Sequence, residues 1–204
     1  MNLTLVNISA RMSSDGSRLI SSLLKRAGHR VSTIFLARPE PMDYLPNELK
    51  ALDETLRKTD LLLIGVYSSY AIRARQLTDY VRKNFPGLMV IWGGPHCISA
   101  PELSLRHADA VCFSEGDEVI VDLMDKIESG REYLDCPNMA FNVNGSRVIN
   151  RVLPPFSDLD SLPYADYDLD DHFFFFFYLF QMTKDILKQH LAGYPYYIPT
   201  LFVT

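Results

Sequence analysis

The first 130 residues switch repeatedly between two hydrophobic periodicities, and this alternation restricts the fold more than any other feature of the chain. Residues 3–8 form a short apolar run with little alternation, as expected of a strand buried on both faces. Leu19, Ile20, Leu23, Leu24 and Ala27 then recur at helical spacing, and Gly28 stands where such a helix should stop. Residues 30–36 read as a second strand. After a proline-bearing loop, Leu45, Leu49, Leu52 and Leu56 step by 4, 3 and 4, which is one helical face.

Residues 61–66 are the strongest strand signal in the chain, and Tyr70, Ala74, Leu77 and Val81 mark the helix that follows. Residues 88–92 predict a fourth strand, closed by Gly93-Gly94-Pro95. A short helix over 101–107 leads to a fifth strand at 110–113. Val119, Ile120, Leu123, Met124 and Ile127 stripe the next helix, which Gly130 ends. Strands alternating with helices predict an α/β domain: a doubly wound, Rossmann-like or flavodoxin-like sheet of five parallel strands.

The pattern changes after residue 130. Residues 138–143 and 147–152 flank Asn144-Gly145, a strong short-range hairpin signal. Between Arg151 and Lys184 there is no Lys or Arg, whereas six aspartates occur there, which reads as an extended acidic connector. Residues 173–189 are expected to form a helical connector. Five consecutive phenylalanines, Phe173 to Phe177, cannot all face one core, so residues 173–180 are a candidate surface for self-association or another partner. The domain boundaries expected are 1–135 for the α/β domain, 136–195 for hairpin, acidic linker and helix, and 196–204 for an apolar strand. That strand ends without a polar tail, so the chain reads as the N-terminal piece of a longer protein.

Composition removes several function classes. The 204 residues carry 20 Lys+Arg against 25 Asp+Glu, a net charge of −5, so there is no cationic stripe for nucleic acid. The most apolar segment has eight residues, far short of the roughly 20 needed to span a bilayer, and no secretory signal opens the chain. Three cysteines, Cys97, Cys112 and Cys136, are an odd and sparse set that argues for a reducing cytoplasm. Their spacings of 15 and 24 residues exclude a compact zinc or iron–sulfur motif. No G-x-G-x-x-G follows the first strand, no Walker-A loop occurs, and the first strand is not followed by the acidic cluster of a phosphoacceptor site.

Ligands of doubly wound sheets bind outside the carboxyl ends of the strands. The residues to read are therefore Ser9, Ala10 and Arg11; Tyr67, Ser68, Ser69 and Tyr70; Gly93, Gly94, Pro95 and His96; and Glu115, Gly116, Asp117 and Glu118. Paired glycines permit close backbone approach, or simply make a tight turn. Ser68-Ser69 fits a ligand's hydrogen bonds or a helix cap equally. Glu115 and Glu118 favour a helix start whatever the function, and Arg11 suits a phosphate or plain solvation. No catalytic constellation stands among these residues.

In order along the chain, DLLLIGVYSS from Asp60, VIWGGPH from Val90 and DAVCFSEGDE from Asp109 resemble the N-terminal cobalamin-binding domain of the cobalamin-dependent radical SAM enzymes. The family's Gly-Glu-Gly-Glu turn is Ser114-Glu115-Gly116-Asp117 here. Residues 149–164 resemble the family's interdomain link, and residues 196–204 the strand before its CxxxCxxC loop, that is, the start of a truncated barrel. The resemblance implies a cobalamin cofactor and, in the full-length protein, a 4Fe-4S cluster, S-adenosylmethionine and a radical SAM domain that is missing here. It implies methyl transfer to an unactivated carbon as the whole enzyme's reaction, this chain alone being non-catalytic. The D-x-H-x-x-G motif of mutases is absent after the first strand, so no protein histidine is expected on cobalt and the base-off cofactor's tail should lie near Ser68, Ser69, Gly93 and Gly94. Two rival readings are a stand-alone cobalamin-binding or sensing module, and an FMN or nucleotide binder using residues 9–17, where Gly16 is the one glycine.

Overall fold

The computed structural model describes residues 1–9, 14–36, 43–176, 178–181 and 183. Its framework is the predicted set of buried strands: β1 (Asn2–Ile8), β2 (Arg30–Phe35), β3 (Leu61–Val66), β4 (Met89–Gly93) and β5 (Ala110–Cys112). They pair in parallel in the order β5-β4-β3-β1-β2, so the direction of winding reverses between β1 and β3. The intervening helices are α1 (Asp15–Arg26), α2 (Pro46–Lys50), α3 (Asp53–Leu56), α4 (Ala71–Asn84), α5 (Pro95–Ser99) and α6 (Pro101–Leu105), with α7 (Ile120–Glu128) after β5.

Alternation along each strand sorts the side chains to two cores. Leu3, Leu5, Leu61, Leu63 and Ile91 face α1 and α7, meeting Leu23, Leu24, Ile120, Leu123 and Met124. Val6, Ile8, Leu62, Ile64 and Val66 face the other way, against Leu49, Leu52, Leu56, Leu77 and Val81. Burying each of these aliphatic side chains contributes about 1.5–3 kcal/mol. That is what holds helices as short as α2 and α3, which would not persist alone. The single leucine stripe of residues 45–56 is thus realised as two short helices.

The sheet does not stop at five strands; among the described residues it has nine. The Asn144-Gly145 hairpin forms as expected, with φ of 50° and 81° at the two turn residues. Its strands β6 (Met139–Val143) and β7 (Ser146–Ile149) extend the β5 edge antiparallel. The phenylalanine run is a correction to the expected helix. His172–Phe176 is β8, parallel to β2, and Tyr178–Gln181 is β9, antiparallel to β8. Pairing at the open β2 edge satisfies backbone groups that a helix would satisfy internally. Phe175 is buried in the sheet's core, with Phe173 packed against it. The expected strand at 196–204 and residues 184–195 lie outside the described residues. Among the described residues no helix is long and apolar enough to cross a membrane.

Candidate functional site

On the face toward α1 and α7, side chains shrink as the strands approach their carboxyl ends. β3 presents Leu61, Leu63 and Gly65; β4 presents Met89, Ile91 and Gly93; and these pair residue for residue in register. The adjoining position on β1 is Asn7, in register with Gly65. Large side chains thus give way to a notch, roofed by Ile20 of α1 and Ile120 of α7. The result is a cavity of about 210 Å³ at the carboxyl edge, beside the β1/β3 reversal where doubly wound sheets take ligands.

Three glycines keep the cavity open. A Cβ on Gly65 would stand 3.2 Å from Ser17 Oγ; one on Gly116, 3.4 Å from Ile20 Cδ1; one on Gly93, 3.8 Å from Cys112 Cβ. Gly94 differs. Its φ is +96° and a Cβ there would lie 3.0 Å from the Val66 carbonyl oxygen, so Gly94 is required for the turn itself.

The α1 side of the cavity is polar. Asn7 Nδ2 donates to Ser17 Oγ at 2.9 Å, and Ser14 Oγ donates to the same oxygen at 3.1 Å. Asn7 is 1% exposed and its Oδ1 has no partner. At the opposite side stand Glu115 and Asp117. Burial pushes the Asp117 carboxyl up, and the neighbouring charges of Glu115 and Glu118 add to this over the opposing hydrogen bond from its own backbone. The Cys112 thiol faces the cavity too, but burial pushes it up to about 11, so it is a neutral thiol at neutral pH.

A family model for the B12 binding domain matches residues 1–124. The chain belongs to the B12-binding domain family. An uncharacterized methyltransferase of Pyrococcus horikoshii is 26% identical over 140 residues, 63% of this chain and 29% of that protein. Among solved structures, the radical S-adenosylmethionine methyltransferase TsrM of Kitasatospora setae, with cobalamin and a 4Fe-4S cluster bound, superposes with a TM-score of 0.59 at 13% identity, covering 81% of this chain and 32% of that one. The cobalamin-dependent S-adenosylmethionine radical enzyme OxsB, with aqua-cobalamin and S-adenosylmethionine bound, gives 0.60 at 12% identity, covering 74% and 22%. At those identities the structural likeness is one of fold. The chain spans 29% of the length of the curated relative.

Within this B12-binding domain, the sequence-predicted residues separate. Tyr67, Gly93, Gly94, Pro95, Glu115, Gly116 and Asp117 line the cavity. Ser9, Ser68, Ser69, Tyr70, His96 and Glu118 do not, and Ala10 and Arg11 lie outside the described residues. Tyr70 is drawn instead to α4, where its ring packs 5.3 Å from the Arg73 guanidinium. Ser68 Oγ is 3.2 Å from His96 Nδ1, which ties the β3 and β4 loops together at the rim. Asn7, Gly65 and Cys112 escaped the sequence reading, which looked at loops after strands rather than at strand interiors, and Ser14 and Ser17 entered it only within the 9–17 loop weighed for a phosphate. Two of them carried a signal: Asn7 is an Asn inside an apolar strand and Gly65 a Gly inside the strongest one.

The acidic connector packs along α1. Asp166 accepts from Ser21 Oγ at 2.6 Å and pairs with Lys25 at 2.8 Å; Lys25 also reaches Asp171 at 2.7 Å. Arg18 is fully buried, donating to the Asp166 carbonyl at 2.6 Å between the rings of Phe35 and Tyr167. Burial alone would raise the Asp166 carboxyl, but Lys25, Ser21 and the nearby His172 outweigh it and hold it below the usual carboxylate range. His172 is buried on β8 and does not line the cavity. His29 is also buried.

Proposed function

We propose that this domain binds cobalamin base-off, with the lower base in the cavity beside Gly65 and Gly93 and no protein histidine on cobalt. The observation that carries this reading is the in-register glycine pair, which opens the sheet face where a flat ring would lie. The fit is one of size and chemistry. A 150 Å³ apolar cavity accepts benzene, so about 210 Å³ suits a fused bicyclic base but not a corrin. The macrocycle would therefore rest on the rim, near Tyr67, Pro95 and the exposed Ile98. No histidine occurs between Ile8 and Gly16, where a lower ligand to cobalt would have to come from.

Ser17 and Asn7 would hold the polar edge of the base, and Ile20 and Ile120 would cover it and exclude water. Glu115 and Asp117 would accept hydrogen bonds from the cofactor's amide groups. Cobalamin, when bound, supplies a cobalt centre able to carry a methyl group. We assign the chain to the N-terminal part of a radical SAM methyltransferase acting on an unactivated carbon, residues 1–135 holding the cofactor, residues 136–195 linking onward and residues 196–204 opening the barrel. The 4Fe-4S cluster and S-adenosylmethionine then belong to a companion radical SAM domain. The FMN reading is disfavoured by the carboxylates Glu115 and Asp117 on the cavity wall, which repel a phosphate-bearing ligand.

Gly93→Val tests the reading, because its side chain enters the cavity without crowding the backbone. Equilibrium dialysis against hydroxocobalamin should show affinity lowered at least about tenfold, the 1.4 kcal/mol equivalent, with an unchanged circular dichroism spectrum. Unaltered affinity in the folded variant would remove the cavity from the site.

A further inference from the structure

Away from the cavity, the acidic connector brings two acceptors face to face. His172 is fully buried on β8, its ring stacked on Phe35. Its Nδ1 stands 3.1 Å from Asp171 Oδ1, a carboxylate oxygen that accepts, so in the neutral ring Nδ1 carries the proton and Nε2 keeps the lone pair. Nε2 has no hydrogen-bond partner among the described residues and lies 3.9 Å from Asp166 Oδ2. Asp166 is itself held in place. Its Oδ1 accepts from the Asp168 backbone at 3.0 Å, and its Oδ2 from Ser21 Oγ at 2.6 Å. Two buried acceptors facing each other are unfavourable unless a cation joins them. Lys25 stands near, its ammonium on both Asp166 and Asp171, but it makes no bond to Nε2.

We propose that Asp166, Asp171 and His172 form a binding site for a divalent transition metal of the zinc class, with Lys25 as its built-in competitor. One donor atom from each of the three lies within 4.8 Å of the others. Zinc takes imidazole nitrogen and carboxylate oxygen at about 2.0–2.2 Å, so two ligands on a tetrahedral ion stand roughly 3.3 Å apart. His172 Nε2 and Asp166 Oδ2 need to close by only a fraction of an ångström to share one ion. The surroundings are those of a metal-bound histidine: a carboxylate on the far ring nitrogen, and hydrogen bonds that orient the ligating carboxylate. Asp171 serves twice, because Oδ1 orients the ring while Oδ2, 2.7 Å from Lys25 Nζ, passes to the ion when the lysine leaves. Charge admits the exchange. Asp166, Asp168, Asp170 and Asp171 stand against Arg18 and Lys25, so a dication in place of the ammonium still leaves an excess of carboxylate. The displaced lysine, 24% exposed already, carries its charge into water on a flexible stem. Bound there, the ion exchanges ion pairs between α1 and the connector for a clip between the connector and β8.

His172 does not line the cavity, so the test is separate from cobamide binding. The chelator-treated 204-residue chain is titrated with zinc chloride in a calorimeter, and with cobalt(II) chloride followed in the visible spectrum. One zinc ion should bind per chain. Cobalt(II) should give saturable d–d bands without the sulfur charge-transfer band that one of the three cysteines would add. His172→Gln and, separately, Asp171→Asn should each weaken zinc binding at least about tenfold. The second change, at a more open position, keeps the comparison if the first variant does not fold. Lys25→Met should bind zinc more tightly than the wild type, and zinc should raise its melting temperature. A folded chain that binds no zinc saturably overturns the site. So does an affinity that neither His172→Gln nor Asp171→Asn lowers, a sulfur band in the cobalt spectrum, or a Lys25→Met variant that binds no more tightly.

Discussion

Gly65 on β3 and Gly93 on β4 are direct register partners, and each ends a descending series, Leu61-Leu63-Gly65 and Met89-Ile91-Gly93, on the same face of the sheet. The two series pack against α1 and α7 at their lower members and leave a cavity at the last. Gly65 has the closer surroundings, since a Cβ there would meet Ser17 Oγ at 3.2 Å and Asn7 Nδ2 at 3.7 Å. Gly65→Ala is therefore expected to weaken cobalamin binding several-fold while changing the melting temperature little, as measured by dialysis and differential scanning calorimetry.

Gly94 should behave in the opposite way. Its positive φ and the approach to the Val66 backbone make any side chain strained. Gly94→Ala should lose roughly 1–3 kcal/mol of stability, a fall of about 2–4 °C per kcal/mol in a domain of this size. A variant that melts like the wild type would show that the turn relaxes freely.

The connector depends on one lysine. Lys25 neutralises Asp166, whose side chain is 5% exposed, and the more open Asp171. Lys25→Met leaves Asp166 charged and short of its cation, which should cost about 3 kcal/mol, at the lower end for a broken buried pair. Faster hydrogen exchange confined to residues 161–176 would be the signature. Exchange unchanged there would mean the ion pairs do not hold the segment.

His172 gives the domain a pH dependence. Burial holds its imidazole below the usual range, against the pull of Asp166 and Asp171 and with the help of Arg18. The unfolded chain therefore takes up a proton near pH 6.5 that the folded chain refuses. Stability is full above about pH 6.5 and declines as pH falls, by no more than about 1.4 kcal/mol per pH unit. Asp166, held low, keeps its contribution until pH drops below the ordinary carboxylate range. Denaturation at pH 7.5 and 5.5 should thus show a loss that His172→Leu reduces. An equal loss in that variant would assign it to other groups.

The parallel unit was legible because its strands are short, mostly apolar and buried on both faces, most plainly Leu61 to Ile64. The hairpin was legible because Asn144-Gly145 suits φ > 0 at both turn positions. Where that hairpin docks is a tertiary choice that no local signal encodes, so the growth of the sheet past β5 was not. The run of phenylalanines has no period at all, and for Phe173 to Phe176 the open β2 edge decided for strand. The site was half legible: Gly93 at a strand end and Asp117 in the loop after β5 follow from the carboxyl-end rule, whereas Asn7 and Gly65 emerge only once the strands are set in register. The partners of Asp166 lie 141 and 145 residues away, at Lys25 and Ser21, beyond any pattern along the chain.

Trp92, the chain's one tryptophan, stands between Ile91 and Gly93 on the strand that floors the cavity, its indole on the α4 face donating from Nε1 to Thr78 Oγ1 at 2.9 Å. A corrin at the adjoining rim should quench its emission, saturably and at the same midpoint as any spectral change of the cofactor. Quenching that does not saturate, or that persists unchanged in Gly93→Val, would mean contact elsewhere.

The most direct measurement is a titration of the chain with hydroxocobalamin under anaerobic conditions, followed in the visible spectrum. The account predicts a saturable shift to the base-off spectrum. A folded chain that leaves the spectrum base-on, or unchanged, would contradict it.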